Sequence, residues 1–234
     1  MLIFAHRGAS QAAPENTLLA VQKALEMGAD AVEIDVHSIE DQLVVIHDRW
    51  LTRTTKGQGR LQDVSFEYLR QVDAGNGLQV PTLWEVMQCV AGQCILNIEL
   101  KGIARLSTVI DMVDKAIAEL GFTAEQFLLS SFDHPLLHEL KQLRPQWRIG
   151  ALTACCPLHY AKFAEDLQAY SVHTDVSFTT QALIDDAHAR KLKVYVYTVD
   201  ETVDMDELQA MEVDGIFTNV PDRALQHLGR SRLT

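Results

Sequence analysis

Residues 31–48 read AVEIDVHSIEDQLVVIHD. Two strand-like runs lie in this stretch, Ala31–His37 and Leu43–His47, parted only by Ser38–Gln42. A parallel crossover needs roughly a dozen residues or more, so these two runs should pair as an antiparallel hairpin. Setting the second run aside decides the architecture. The other strand-like runs are Leu2–Ala5, Ile95–Leu100, Phe127–Ser131, Arg148–Leu152, Tyr170–His173, Lys193–Thr198 and Gly215–Thr218. Helical periodicity falls near Asn16–Met27, Thr82–Val90, Leu106–Leu120, Pro135–Leu143, Leu158–Leu167, Gln181–Ala189, Glu201–Met211 and Pro221–Leu228. Eight strand–helix units remain, and eight units in 234 residues fit a compact (β/α)8 TIM barrel. An open doubly wound sheet usually has fewer units, and a nucleotide-binding one would carry G-x-G-x-x-G after its first strand. That place reads HRGAS, residues 6–10. The expected fold is therefore α/β: a single (β/α)8 TIM-barrel domain over residues 1–234. It carries a small insertion after the second barrel strand, at about residues 38–81, of which Arg49–Val80 is polar and contains glycine. Asn16 is expected to cap the first helix, Gly28 to end it, Gly121 to end the third, and Pro221 to sit in a first helical turn.

Composition narrows the partners. The chain is 47% apolar and 22% charged, as in ordinary soluble proteins. A net charge of −12 with no dense basic block argues against nucleic acid and anionic membranes as partners. The longest charge-free runs, Val86–Ile98 and Ile149–Ala161, fall short of the ~18 apolar residues of a membrane span. The start, MLIFAHRGAS, has no basic stretch ahead of its apolar residues, so no secretory signal is read. The four cysteines show no C-x-x-C spacing, and the neighbours Cys155 and Cys156 are ill-placed to pair with each other. They are expected to be core or interface thiols in a reduced, cytoplasmic protein. The oligomeric state is left open, a homodimer being one option.

In a (β/α)8 barrel the active site lies at the carboxyl ends of the strands. His6 and Arg7 follow the first strand. In the second, Val32, Ile34 and Val36 face one way and Glu33 and Asp35 the other. The apolar face should pack on helices, which turns both carboxylates into the barrel mouth. The hairpin ends in His47-Asp48. In the third barrel strand Leu96, Ile98 and Leu100 face outward, leaving Asn97, Glu99 and Lys101 inward. Each piece alone has a bland reading: a solvated carboxylate pair, a loop, a turn with a capping Asp. Together they place three acids, two fixed cations and two histidines at one mouth, which is costly in a filled barrel without a bound ion. Glu33, Asp35 and Glu99 offer hard oxygens and no thiolate, so one divalent cation is expected, Mg2+ or Ca2+ with Mn2+ as a further option. With Arg7 and Lys101 beside such an ion the mouth carries a small positive charge that a phosphodiester anion would cancel. His6 and His47 remain to move protons.

These residues fall in motifs that resemble the glycerophosphodiester phosphodiesterase family. The motifs are AHRGAS…APENTLLA (5–20), GADAVEIDV (28–36), VVIHDRWLTRTT (44–55), VPTLWEVM (80–87), LNIELK (96–101), SSFD (130–133), KVYVYTVD (193–200) and DGIFTNVPD (214–222). The resemblance implies a barrel with a small insertion. It implies metal-dependent hydrolysis of a small glycerophosphodiester to sn-glycerol 3-phosphate and an alcohol. It makes His6 and His47 the acid/base pair, Arg7 and Lys101 phosphate ligands, and Glu33, Asp35 and Glu99 metal ligands. Asp48 would orient its loop or reach the metal indirectly, and Glu15 and Asn16 would fix the first loop. Two positions depart from the family: Tyr197-Thr198-Val199-Asp200 stands where Trp-Thr-Val-Asn is common, and Asn219 stands where Asp often follows the last strand. Neither is expected to touch the metal ligands or the histidines, and Tyr197 bears on the apolar wall of the substrate pocket.

Three other readings are carried beside this one. A lysophospholipase D or cyclising phosphodiester lyase could use the same barrel. Lys101 could form a Schiff base. A non-catalytic phosphoester-binding protein could keep the scaffold, although such a binder has no need of two proton carriers. The remaining histidines read as surface or packing residues. His173 faces the mouth without a motif to give it a catalytic role, and Tyr195, Phe217 and Phe178 read as core fillers.

Overall fold

The computed structural model describes residues 1–230. Its strands are β1 (Leu2–Ala5), β2 (Ala31–Ile39), β3 (Gln42–Val45), β4 (Ile95–Gly102), β5 (Phe127–Ser131), β6 (Arg148–Thr153), β7 (Ser171–Asp175), β8 (Lys193–Tyr197) and β9 (Gly215–Thr218). Its helices are α1 (Leu18–Met27), α2 (Phe66–Leu69), α3 (Leu83–Val90), α4 (Leu106–Glu119), α5 (His134–Leu143), α6 (Lys162–Asp166), α7 (Gln181–Ala189), α8 (Thr202–Ala210) and α9 (Pro221–His227). Eight strands run parallel in the order β1-β9-β8-β7-β6-β5-β4-β2, and β1 pairs with β2 to close the ring. This is the TIM barrel expected from the unit count. β3 lies antiparallel on β2, with Val36 opposite Val45 and Ile39 opposite Gln42. The hairpin turn is thus shorter than the sequence suggests, because β2 continues through Ser38 and Ile39.

Strand alternation separates two cores. Val32, Ile34, Val36, Leu96, Ile98 and Leu100 point outward and are fully or almost fully buried beneath the helices. Inside the ring, Phe4, Ala31, Leu128, Tyr195 and Phe217 fill the barrel towards its amino end. The Phe4 ring lies 4.8 Å from that of Tyr195 and 4.6 Å from that of Phe217. This plug is the floor on which the polar residues stand. Above it Glu33 pairs in register with Asn97, and one layer higher Asp35 pairs with Glu99.

The chain between β3 and α3 has its own small core, in which Leu51, Leu61, Leu69 and Val72 pack on Val44 and Ile46. It holds the short helix α2, which the polar composition had hidden. Arg70 ties this segment to the barrel through two 2.8 Å bonds to Glu85 and one of 2.6 Å to the Val80 carbonyl. Glu85 in turn completes the capping box of α3 with Thr82.

Several local expectations are corrected. Thr17, not Asn16, caps α1, its hydroxyl accepting from the Ala20 amide at 3.3 Å; Asn16 is drawn into the barrel instead. Helix α6 begins at Lys162 rather than Leu158, and the loop before it exposes Cys155, Cys156 and Leu158. Those two thiols are not core residues. Phe178 is 40% exposed and fills no core, whereas Tyr195 and Phe217 do. Gly28 ends α1 at φ +83°, a left-handed turn that glycine takes without strain.

Candidate active site

The loop after β1 is shaped by its backbone. Arg7 takes a left-handed conformation, φ +57°, which costs a non-glycine residue about 1 kcal/mol or more. It turns the Arg7 amide onto Glu33, donating to Oε2 at 2.8 Å. Gly8 follows at φ +77°, and a Cβ there would stand 2.6 Å from the Ala20 backbone, so only glycine lets this loop lie on α1.

Glu33, Asp35 and Glu99 converge. One carboxylate oxygen from each lies within 4.8 Å of the others. Glu33 and Asp35 are almost wholly buried, and Glu33 Oε1 and Asp35 Oδ1 have no hydrogen-bond partner. An orphaned buried polar atom costs about 1–3 kcal/mol, more if charged. Burial, then repulsion from Asp35 and Glu99, holds the Glu33 carboxyl well above its ordinary range. Burial and Asp35 also push Glu99 up. Asp35 is the exception: burial opposes its charge, but Lys101 and Arg7 outweigh that and hold it below the usual range. A hard divalent cation fits this donor set. Oxygens sharing one such ion lie at most about 5 Å apart across it, and the ion's charge removes the mutual repulsion.

The two cations face the acids directly. Lys101 Nζ lies 2.8 Å from Glu99 Oε1 and 3.4 Å from Asp35 Oδ1. Arg7 bonds Glu15 Oε1 at 2.8 Å, and its Nε is 3.3 Å from Asp35 Oδ2. Asn16 holds Asp35 at both ends, donating Nδ2–H to Oδ2 at 2.8 Å and accepting the Asp35 amide at 3.2 Å.

The two imidazoles have different partners. His6 Nδ1 lies 2.8 Å from Asn219 Oδ1. The Asn219 amide cannot be turned round, because its Nδ2 donates to Asp200 Oδ2 at 2.7 Å. Nδ1 of His6 therefore carries the proton and Nε2 keeps its lone pair. Burial, and then Arg7, lower the His6 pKa to about 4. His47 Nδ1 lies 2.6 Å from Asp48 Oδ1. Arg53, and then His47, hold the Asp48 carboxyl at about 2, so a carboxylate stands behind this ring. Arg53 grips Glu15 with two bonds of 2.8 and 2.9 Å, linking the His47 loop to the Arg7 loop. His37 Nε2 donates to the His47 carbonyl at 3.1 Å.

All seven residues singled out in the sequence thus meet at the carboxyl end of the barrel. Six of them, His6, Arg7, Glu33, His47, Glu99 and Lys101, line one chamber of about 330 Å3. Asp35 stands behind, ion-paired with Lys101 and hydrogen-bonded to Asn16. Tyr197 forms part of the apolar wall, its hydroxyl on the Thr153 carbonyl at 2.9 Å and its ring edge-on to Phe132. One expectation fails: Asn219 does touch a histidine, and the two departures from the family pattern, Asp200 and Asn219, bond to each other. Arg53 and His37 were not singled out, and Asp200 was named only as a departure from the family pattern. Arg53 lies within a quoted motif, so its charge was a usable signal, as were the matched departures at 200 and 219; His37 gave none without knowledge of its contacts.

A (β/α)8 barrel with a buried acidic triad, two imidazoles and two cations at its mouth is the frame of a hydrolase of phosphate diesters. The chain belongs to the glycerophosphoryl diester phosphodiesterase family, whose model matches residues 6–223. It is 36% identical over 231 residues to a glycerophosphodiester phosphodiesterase of Caldanaerobacter subterraneus subsp. tengcongensis, covering 94% of this chain and 95% of that one. A glycerophosphodiester phosphodiesterase of Bacillus subtilis is 31% identical, covering 95% of this chain and 84% of its own length. Among solved structures, a phosphodiesterase of Oleispira antarctica in complex with the product sn-glycerol-3-phosphate superposes with a TM-score of 0.89 at 28% identity. The match covers 98% of this chain and 97% of that one. The enzyme class is therefore glycerophosphodiester phosphodiesterase.

Proposed function

We propose that this enzyme releases sn-glycerol 3-phosphate and an alcohol from glycerophosphodiesters, using one divalent cation held by Glu33, Asp35 and Glu99 and the acid/base pair His6 and His47. The observation that carries the reading is the pair of imidazoles in one chamber with unlike partners on Nδ1, a neutral amide and a carboxylate. The lone pair on His6 Nε2 suits removal of the proton from the attacking oxygen, either a water or the substrate's own 2-hydroxyl; in the second case loss of the alcohol leaves a cyclic phosphate that a water then opens to sn-glycerol 3-phosphate. As the bond from phosphorus to the leaving alcohol breaks, His47 gives that oxygen a proton, its ring oriented by the Nδ1 bond to Asp48. Arg7 and Lys101 hold the non-bridging phosphoryl oxygens. When bound, the cation, Mg2+ or Ca2+, supplies further neutralisation of the phosphoryl charge.

Among the described residues no helix is long and apolar enough to cross a membrane. A cytoplasmic location is part of the same proposal, supported by four free thiols. The test of function is release of sn-glycerol 3-phosphate from glycerophosphocholine, with and without chelator, in the wild type, His6→Ala and Glu99→Ala. Loss of release on chelation and its return with Mg2+ or Ca2+ support the reading. Full activity of Glu99→Ala without added metal overturns it.

A further inference from the structure

The four thiols divide by their surroundings. Cys94 is buried and Cys89 half-buried, and burial pushes both thiols up, Cys94 to about 12. A thiol held protonated in this way is inert. Cys155 and Cys156 are exposed and stand side by side after β6. Residues 154–161 there hold no strand or helix. The segment is pinned at both ends: Thr153 closes β6, and the Ala161 amide donates to Asp186 Oδ2 at 3.0 Å. Between those ends Leu158 is 89% exposed. The segment leaves the carboxyl end of a barrel strand, so its thiols stand on the catalytic face.

One of the two adjoins the chamber. Leu152 and Ala154, on either side of Thr153, line the chamber of about 330 Å3, as does Tyr197. Thr153 joins Cys155 to this wall. Its carbonyl accepts the Tyr197 hydroxyl at 2.9 Å, and its own hydroxyl donates to the Cys155 carbonyl at 3.1 Å. The same hydroxyl oxygen lies 3.4 Å from Cys155 Sγ. The Tyr197 hydroxyl is pushed up by burial and then by Asp175, Glu99 and Cys155, so this thiol is among the groups around that side chain. Cys156 lies one residue further along the chain from the wall.

We propose that Cys155 is a site of S-thiolation by low-molecular-weight disulfides, and that the attached group closes the chamber beside Tyr197. In the exchange the Cys155 thiolate attacks one sulfur of the disulfide. A new S–S bond forms on Sγ, the reagent's own S–S bond breaks, and its other half leaves as a thiolate that takes up the proton Cys155 gave. Cys156 does not displace the adduct. Consecutive Cα atoms stand about 3.8 Å apart, closer than the ~4.4 Å that marks the short limit for disulfide partners. The adduct therefore stays until an external thiol reverses the exchange. This device regulates the site described under the proposed function and rests on that reading.

The test treats the Mg2+-loaded enzyme with oxidised glutathione and, separately, with methyl methanethiosulfonate, which leaves only a methylthio group on sulfur. Peptide mass mapping locates the adducts, and turnover of glycerophosphocholine is followed in wild type, Cys155→Ser and Cys156→Ser. Glutathione on Cys155 should raise KM about fivefold or more, with recovery on adding dithiothreitol. The methylthio group is too small to span the opening and should move KM less than about twofold. Cys156→Ser should respond as wild type does, and Cys155→Ser should keep its KM under both reagents. Absence of an adduct on Cys155, an unchanged KM once it is glutathionylated, or an equal loss in Cys155→Ser overturns the proposal. Equal loss with the large and the small adduct overturns closure by bulk. Failure of untreated wild type to turn over any glycerophosphodiester sinks the parent reading instead. Calorimetric affinity for sn-glycerol 3-phosphate before and after glutathionylation then decides this one, a drop supporting it and no change overturning it.

Discussion

Asn219 Oδ1 accepts the Nδ1 proton of His6 across 2.8 Å. Asp200 in turn receives both the Asn219 side-chain amide, at 2.7 Å, and its backbone amide, at 2.8 Å. The carboxylate thus acts on His6 through an amide and fixes the tautomer without placing charge on the ring. Asp200→Asn removes the acceptor that prevents the Asn219 amide from turning. Its kcat should fall about tenfold, ~1.4 kcal/mol in barrier, with KM little changed. Steady-state kinetics on glycerophosphocholine measure this, and an unchanged kcat would show that Asn219 needs no such anchor.

Arg53 holds Asp48 and Glu15 together from outside the chamber. Arg53→Ala should let the Asp48 carboxyl rise from about 2 towards its ordinary range and loosen the His47 loop. A kcat loss of about tenfold is expected. Arg53→Lys should not restore it, because an ammonium lacks the planar fork that binds two carboxylates at once. Parallel assays of the two variants decide the point.

Asn16 is 3% exposed and makes two bonds to Asp35. Asn16→Leu should leave Asp35 short of partners, lowering stability by about 1–3 kcal/mol. The melting temperature should drop by several degrees, and the affinity for Mg2+ should weaken in the same variant, as measured by titration.

The acidic triad makes stability depend on divalent ions. A ligand that binds only the folded state adds about 2.7 kcal/mol at a hundred times its Kd. Saturating Mg2+ or Ca2+ should therefore raise the melting temperature of wild type and not that of Glu99→Gln. Chelation should cut turnover by about a hundredfold or more. Equal melting curves with and without the ions would count against a cation site at Glu33, Asp35 and Glu99.

Acid should unfold the protein from within. His6 and His173 titrate near 4 and 3 in the fold, chiefly through burial, but near 6.5 in the unfolded chain. Between those values unfolding takes up protons, so this share of the stability is complete above about pH 6.5 and declines as pH falls. Each ring contributes about 1.4 kcal/mol per pH unit over that range. The raised carboxyls of Glu33 and Glu99 work in the opposite sense, so the test is a difference: urea denaturation at pH 7.0, 6.0 and 5.0 should show His173→Gln gaining on wild type as pH falls, by about 1.4 kcal/mol per pH unit.

Local chemistry carried the architecture and the site's inventory. A five-residue gap between two strand-like runs demanded a hairpin, and the count of units then demanded the barrel. Period-two alternation in residues 31–37 and 95–101 fixed which carboxylates face inward, because an apolar strand face must meet helices. What alternation cannot specify is who bonds to whom across a closed ring. Asn219 reaches His6 from 213 residues away, and Arg53 reaches Glu15 from 38. Asn16 reads as a helix cap in sequence, yet its neighbour Thr17 caps while Asn16 turns inward to Asp35. His173 gains its chamber-facing place only because Gly150 on the next strand lacks a side chain. These choices follow from strand register and barrel closure, which bring distant chain segments within hydrogen-bonding reach and set each partner by distance.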